Sequence, residues 1–411
     1  MATQTSRYSS LSRDQLAVLV PELLLIGQLI DRSGMAWVIS SFGREEMLQV
    51  AIEEWMGASP IYTRRMQRAL KYEGTDVITI FKGLQLDIGA PPQFMDFRYT
   101  VHDRWHGEFH LDHCGALLDV EPMGEDYVRG MCHDIEDPTF DATAVATNRR
   151  AQIRPIHRPP RTPADRQPHC AWTVIIDESY PEAEDHPVLE VIARTHAAGT
   201  ELDPIDTDDE GAADYSGPLL SDLDFGAFSQ SALVRMADEV CLQMHLLNLS
   251  YVIAVGKRAG ADTELATDIC TKQLIGLAGV AAERIHRVLQ LPGGVGGAVR
   301  TLELHPMLNP AAYVDAEFGP DVVHVRRSPA HEDGGWMSLV SPDERRPLQA
   351  IVTAVDKHLD VELAGTAEEW TARVVETDTE AKEFPEVSVV RVSGGSTWEF
   401  EDRKSLPLTV L

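Results

Sequence analysis

Residues 57–74 can be laid over residues 276–293 without a gap. Gly57, Arg65, Met66, Arg68, Leu70 and Gly74 then fall on Gly276, Arg284, Ile285, Arg287, Leu289 and Gly293, at a constant offset of 219. Toward the end of each half, Cys170-Ala171-Trp172-Thr173-Val174 resembles Ser396-Thr397-Trp398-Glu399-Phe400. An echo of this kind implies two copies of one supersecondary plan. Two unrelated amphipathic helices that each end in glycine would produce some of the same matches.

The order of local patterns also repeats. In the first half, Ser12 and Asp14 are placed to cap a helix with Leu16, Val20, Leu23 and Ile26 at helical spacing. A second helix runs from about Glu45 to Leu70, and Pro60 should break or kink it. The stretches FMDFRYTV, EFHLDH, AQIRPIH and AWTVIID then read as strands. In the second half, helices over about 228–257 and 264–291 precede strand-like VRTLELH, DVVHVRR, WTARVVET, VSVVRVS and STWEFED, with a helix near 348–359. The expected fold is α+β, with two related halves, each a helical pair packed on a mostly antiparallel sheet. The halves are 1–177 and 221–411. Between them, Asp177 to Asp214 holds 13 acidic residues and one basic one, Arg194, so 178–220 reads as a solvated, partly disordered linker.

Bulk properties narrow the partners. The net charge of −29 disfavours nucleic acid and anionic membrane. The start of the chain is polar, and the apolar run Leu16–Ile30 is short and carries Pro21 and Glu22, so neither a signal peptide nor a membrane span is expected. Five cysteines without scaffold spacing argue for reduced thiols and a cytoplasmic setting. A small-molecule substrate is the expected partner; assembly with a second copy of the chain is compatible with all of this.

Chemistry concentrates in one stretch. Three of the five cysteines and seven of the 15 histidines lie between His102 and Cys170. On a strand, His110, Asp112 and Cys114 share one face and Phe109, Leu111 and His113 the other. Gly115 follows, so Cys114 would sit where a strand meets a helix N-terminus, a place that stabilises thiolate. A small buried apolar residue is the alternative. In Met131-Cys132-His133-Asp134-Ile135-Glu136-Asp137-Pro138, a helix would set Cys132 and Glu136 on one side and His133 and Asp137 on another. Pro138 should end it, leaving the acids at an unfavourable C-terminus. Cys170 and Trp172 share a strand face, as site or as core. Between these clusters run six arginines, at 149, 150, 154, 158, 161 and 166, against one acid, Asp165. Such guanidinium groups suit a substrate carboxylate, the protein's own surplus acids, or the acidic linker. The cysteine separations match no short zinc motif, although the ligand types suit zinc if folding brings them together. The pairs around Trp105 (His102 and His106) read as surface histidines, and Cys241, Met244 and His245 as helix core.

The order of Cys114, Gly124, Cys132 with Asp134, and Cys170 with Trp172 resembles the L-2-amino-thiazoline-4-carboxylic acid hydrolase-like family, over roughly residues 40–177. That resemblance implies a hydrolase opening a cyclic or amide-like C–N bond in a small carboxylate-bearing substrate. Cys114, Cys132 and Cys170 would supply a nucleophile or hold zinc, with no other cofactor. His133 or Asp134 would move protons, and Arg154, Arg158, His110 and Trp172 would contact substrate. The second half lacks these cysteines. The competing reading is a non-catalytic protein that binds an apolar small molecule, or an accessory subunit, with the cysteines as core.

Overall fold

A computed structural model describes residues 5–391 and Leu408. The first half holds α1 (Arg13–Phe42), α2 (Arg44–Ala69), α3 (Val77–Leu84), β1 (Met95–Asp103), β2 (His106–Cys114), α4 (Gly115–Val120), α5 (Glu125–Arg129), a turn of π-helix (Gly130–Ile135), α6 (Glu136–Val145), β3 (Ala151–His157) and β4 (Cys170–Ile176). Then come α7 (Pro187–Ile192) and α8 (His196–Gly199). The second half holds α9 (Gln230–Ala259), α10 (Thr263–Val288), α11 (Gly294–Leu304), β5 (Ala316–Phe318), β6 (Val322–Val325), α12 (Pro329–Asp333), α13 (Arg346–Val355), β7 (Leu359–Gly365), β8 (Trp370–Glu376) and α14 (Pro385–Arg391).

The α+β architecture with two similar halves is realised. The sheets run β1-β2-β4-β3 and β5-β6-β8-β7, each antiparallel throughout. Helices α1 and α9 are both 30 residues long, and α2 and α10 are both 26. The ends of α2 and α10 differ by the 219 offset seen in the sequence. Ser12 caps α1 through a reciprocal capping box with Gln15.

The halves are interleaved. Helix α1 packs on α10 and α9, and α2 packs on α9. Arg65 of α2 pairs with Glu239 of α9 at 2.8 Å, and Arg284 of α10 pairs with Glu22 of α1 at 2.7 Å. These are equivalent positions on equivalent helices, so the bridges repeat across the pseudo-symmetry. Both halves feed one apolar core, which includes Leu23 and Val50 from the first half and Met244 and Leu274 from the second. A second core of Phe97, Phe109, Trp172 and Val174 lies under the first sheet.

Several sequence expectations change. Pro60 is buried within an unbroken α2, because packing of the surrounding bundle outweighs the lost backbone donor. VRTLELH lies in α11 and its following turn, and the run centred on VSVVR forms α14. Short apolar runs fit both periods, and in α14 the 387/390 spacing seats two valines on the glycines of α10. The helix expected near 348–359 is α13, which ends at Val355, and Leu359 already opens β7. The linker is substantially packed: Val188, Leu189 and Ile192 are buried, and Lys82 donates to the Tyr215 and Gly217 carbonyls. STWEFED lies outside the described residues. Helix α9 is long and apolar enough to cross a membrane, but 83% of that window is buried inside the protein, as a core helix would be.

Candidate active site

A cleft lies where α1, α2, the loop after α3 and the π-turn meet. Its walls include Asp31, Trp55, Tyr62, Asp87, Glu136 and Phe140, and it encloses about 690 Å³ of empty space, open mouth included. Three of those six are carboxylic acids withdrawn from solvent: Asp31, Asp87 and Glu136 are each under 9% exposed.

Each acid has its own surroundings. Asp87 Oδ1 accepts from the Tyr62 hydroxyl at 2.8 Å and from the Gly89 N–H at 2.7 Å. Burial lifts its pKa to about 6, and those two donors limit the rise. Its loop is held by Gln243 of α9, which accepts from Ile88 N–H at 3.1 Å and donates to the Leu86 carbonyl at 3.0 Å. The second half thus positions a wall of the first half's cleft. Glu136 opens α6 directly after the π-turn. Burial raises it to about 8, against the pull of Arg158. Asp31 faces Glu54 inside the bundle. Burial raises Asp31 to about 6 and Glu54 well above its usual range, and two carboxyls this close favour holding a shared proton.

The matching helices of the two halves give an internal contrast. Equal lengths place Asp31 on Asn248 and Glu54 on Gln273. There, Asn248 Nδ2 donates to Gln273 Oε1 at 3.1 Å, so amides do neutrally what the acids do only by holding a proton. Gln28, in the cleft wall, falls on His245, whose ring is wedged between Tyr313 and Trp336 at 4.9 Å from each. The second copy fills with rings and amides the position where the first keeps a cleft and acids.

The three cysteines are neighbours that feel one another's charge, but among the described residues their sulfurs do not gather within 4.8 Å as a metal site would. Ionisation of each of Cys114, Cys132 and Cys170 is opposed by Glu136, and the sulfurs oppose one another. Cys114 caps α4, accepting from Leu117 N–H at 3.4 Å, as its place after a strand suggested. Its acidity runs opposite to that expectation. Burial drives its thiol up to about 12, and Cys132 and Cys170 rise as well, so all three are thiols at neutral pH. None of the three lines the cleft.

The other predicted residues scatter. His133 Nε2 lies 2.7 Å from the Pro159 carbonyl, and Asp134 is exposed. Pro138 does not end the helix. The ladder is already widened by the π-turn just before it, and Glu136 and Asp137 fall in the first turn of α6, where acids are favoured. The arginines are largely spent on the protein's own acids. Arg154 pairs with Asp141, Arg158 with Asp137 and Arg161 with Glu121, while Arg149 and Arg150 reach Asp185 and Glu182 in the linker. His110 is half-exposed beside Asp112. Trp172 is fully buried against Phe109 and Phe140, so it is core and no substrate contact.

Sequence reading found Glu136 only as a neighbour of Cys132, and missed Asp31, Glu54 and Asp87. The available signal was an acid interrupting an apolar helical run, as Asp31 does after LLLIGQLI. Comparison with family models, with curated proteins and with solved structures returned no match.

Proposed function

We propose that the chain is a hydrolase of C–N bonds in a small amidine- or amide-like molecule, with carboxyl groups running the chemistry. The supporting observation is that buried acids in unlike states face one cleft. At pH 7 Asp87, near 6, is mostly ionised, and Glu136, near 8, is mostly protonated. A base and an acid across one cavity suit hydrolysis by water.

In this reading Asp87 takes a proton from water as the water oxygen bonds to the sp² carbon. Glu136 gives its proton to the leaving nitrogen as the C–N bond breaks. Exchange with solvent then restores both groups. Asp31, beside Trp55, suits the positive end of an amidinium. That replaces the substrate carboxylate expected from the arginine-rich strip, whose charges are engaged elsewhere. The buried thiols take no part in the chemistry, and burial lets Glu136 keep its proton.

The test is NMR-monitored turnover of a panel of cyclic and open amidines and amides. Hydrolysis should occur with at least one of them, fall by about 10²–10⁴-fold in Glu136→Gln and survive in Cys170→Ser. Saturable binding without turnover would instead identify a small-molecule binding protein. Neither binding nor turnover would remove both readings.

A further inference from the structure

The β1–β2 hairpin carries a second constellation, on its outward face. His102, His106 and Glu108 are half-buried, and one ligand atom from each lies within 4.8 Å of the others. Among the described residues this is the one set of three or more His, Cys, Asp or Glu groups that gathers so closely. His102 Nε2 is 3.2 Å from Glu108 Oε1, and the two imidazole rings are 4.6 Å apart. In a tetrahedral zinc site with bonds of about 2.1 Å, ligand atoms lie about 3.4 Å apart. The His102–Glu108 separation already fits, and a small rotation of His106 would complete the set.

The backbone holds these groups in place. Pairing runs regularly from Phe97↔Leu111 to Val101↔Gly107, then slips by one to Asp103↔His106. His102 is the extra residue of that bulge, and bulges re-aim a side chain. Asp103 Oδ1 accepts from the Trp105 and His106 N–H groups at 2.7 and 3.0 Å and pins the turn. Ligands on a pinned hairpin lose little freedom when they bind.

We propose that His102, His106 and Glu108 form a three-ligand site for a divalent transition ion of the zinc type. Two imidazoles and one carboxylate favour zinc, cobalt or nickel over magnesium or calcium, and leave a coordination position open. None of the three lines the cleft, so this site stands independently of the proposed hydrolase.

The experiment uses the full chain, stripped with chelator and exchanged into plain buffer. Zn²⁺ is titrated by calorimetry and Co²⁺ by its visible absorption. One equivalent should bind, with His102→Ala and His106→Ala each weakening it at least about tenfold and Glu108→Gln weakening it measurably. His110→Ala, on the same strand and also half-exposed, should leave affinity unchanged. Circular dichroism checks the fold of each variant, and Glu108→Gln, nearly isosteric, keeps the question open to test if a histidine variant unfolds. No binding by the intact chain would overturn the proposal. So would one undiminished equivalent in a folded His102→Ala/His106→Ala double variant or in folded Glu108→Gln.

Discussion

Single residues carry the proposed chemistry through their surroundings. Asp87 must be ionised to act as base and Glu136 protonated to act as acid. kcat/KM should therefore rise through about pH 6 and fall through about pH 8. Glu136→Gln should abolish the alkaline limb and lower kcat by about 10²–10⁴-fold. A profile whose alkaline limb persists in that variant would remove Glu136 from the acid role. Trp172 is the opposite case. Its ring is sealed in the core, so Trp172→Ala should cost about 3–5 kcal/mol of stability, read from denaturant midpoints. An unchanged midpoint would show that the ring is not core. Glu136 was partly legible, because an i, i+4 spacing from Cys132 put both on one side. Asp87 was not, because its role comes from Tyr62, 25 residues earlier, and a loop amide.

At the scale of elements, the paired helices hold their own control. The α1–α2 pair buries Asp31 and Glu54 where α9–α10 buries Asn248 and Gln273. Asp31→Asn with Glu54→Gln imports the second copy's neutral pair into the first. At pH 8 the acids lose their shared proton or pull against it, and the amides do not. The double variant should gain on the order of 2 kcal/mol at that pH and lose amidine binding. A double variant that is less stable and still binds would contradict the assignment of Asp31 to substrate. Periodicity placed the start of α1, both ends of α2, α9 and α10 within a few residues, and all four strands of the first sheet; it did not place the second half of α1, past Ile26. It misread VRTLELH and the described part of VSVVRVS, up to Arg391, because Val and Leu at close spacing fit a half-buried strand and a packed helix equally. Contact with α10, a tertiary fact, decided for helix in α14.

Across the whole molecule, two sets of buried groups oppose each other. Asp31, Asp87, Asp238 and Glu136 have folded pKa values raised to between about 6 and about 8. The folded state then holds protons that the unfolded chain releases. Their stabilisation is complete below about pH 4 and is lost as pH rises through 6 to 8. His113, His245 and His305 are lowered to about 4 by burial. Their contribution is present above about pH 6.5 and lost as pH falls through 4. Between pH 6.5 and 8 the acids act alone, so the denaturant midpoint should fall over that interval. Below 6.5 the two slopes oppose and the curve should flatten. A midpoint that climbs from pH 6.5 to 8 would show that these carboxyls are solvated.

Local pattern by itself determined the repeated order of elements in two similar halves, the boundaries of α2, α9 and α10, the alternation in β2 and the clustering of cysteines between Cys114 and Cys170. These are short-range properties, written in spacing and caps. Tertiary structure alone decided that α1 packs on α10 and α2 on α9, that the thiols are buried and un-ionised, and that Asp31, Asp87 and Glu136 share a cleft. The reason is physical: a side chain's charge state depends on the solvent it has lost and the donors it meets, and both come from residues far away along the chain.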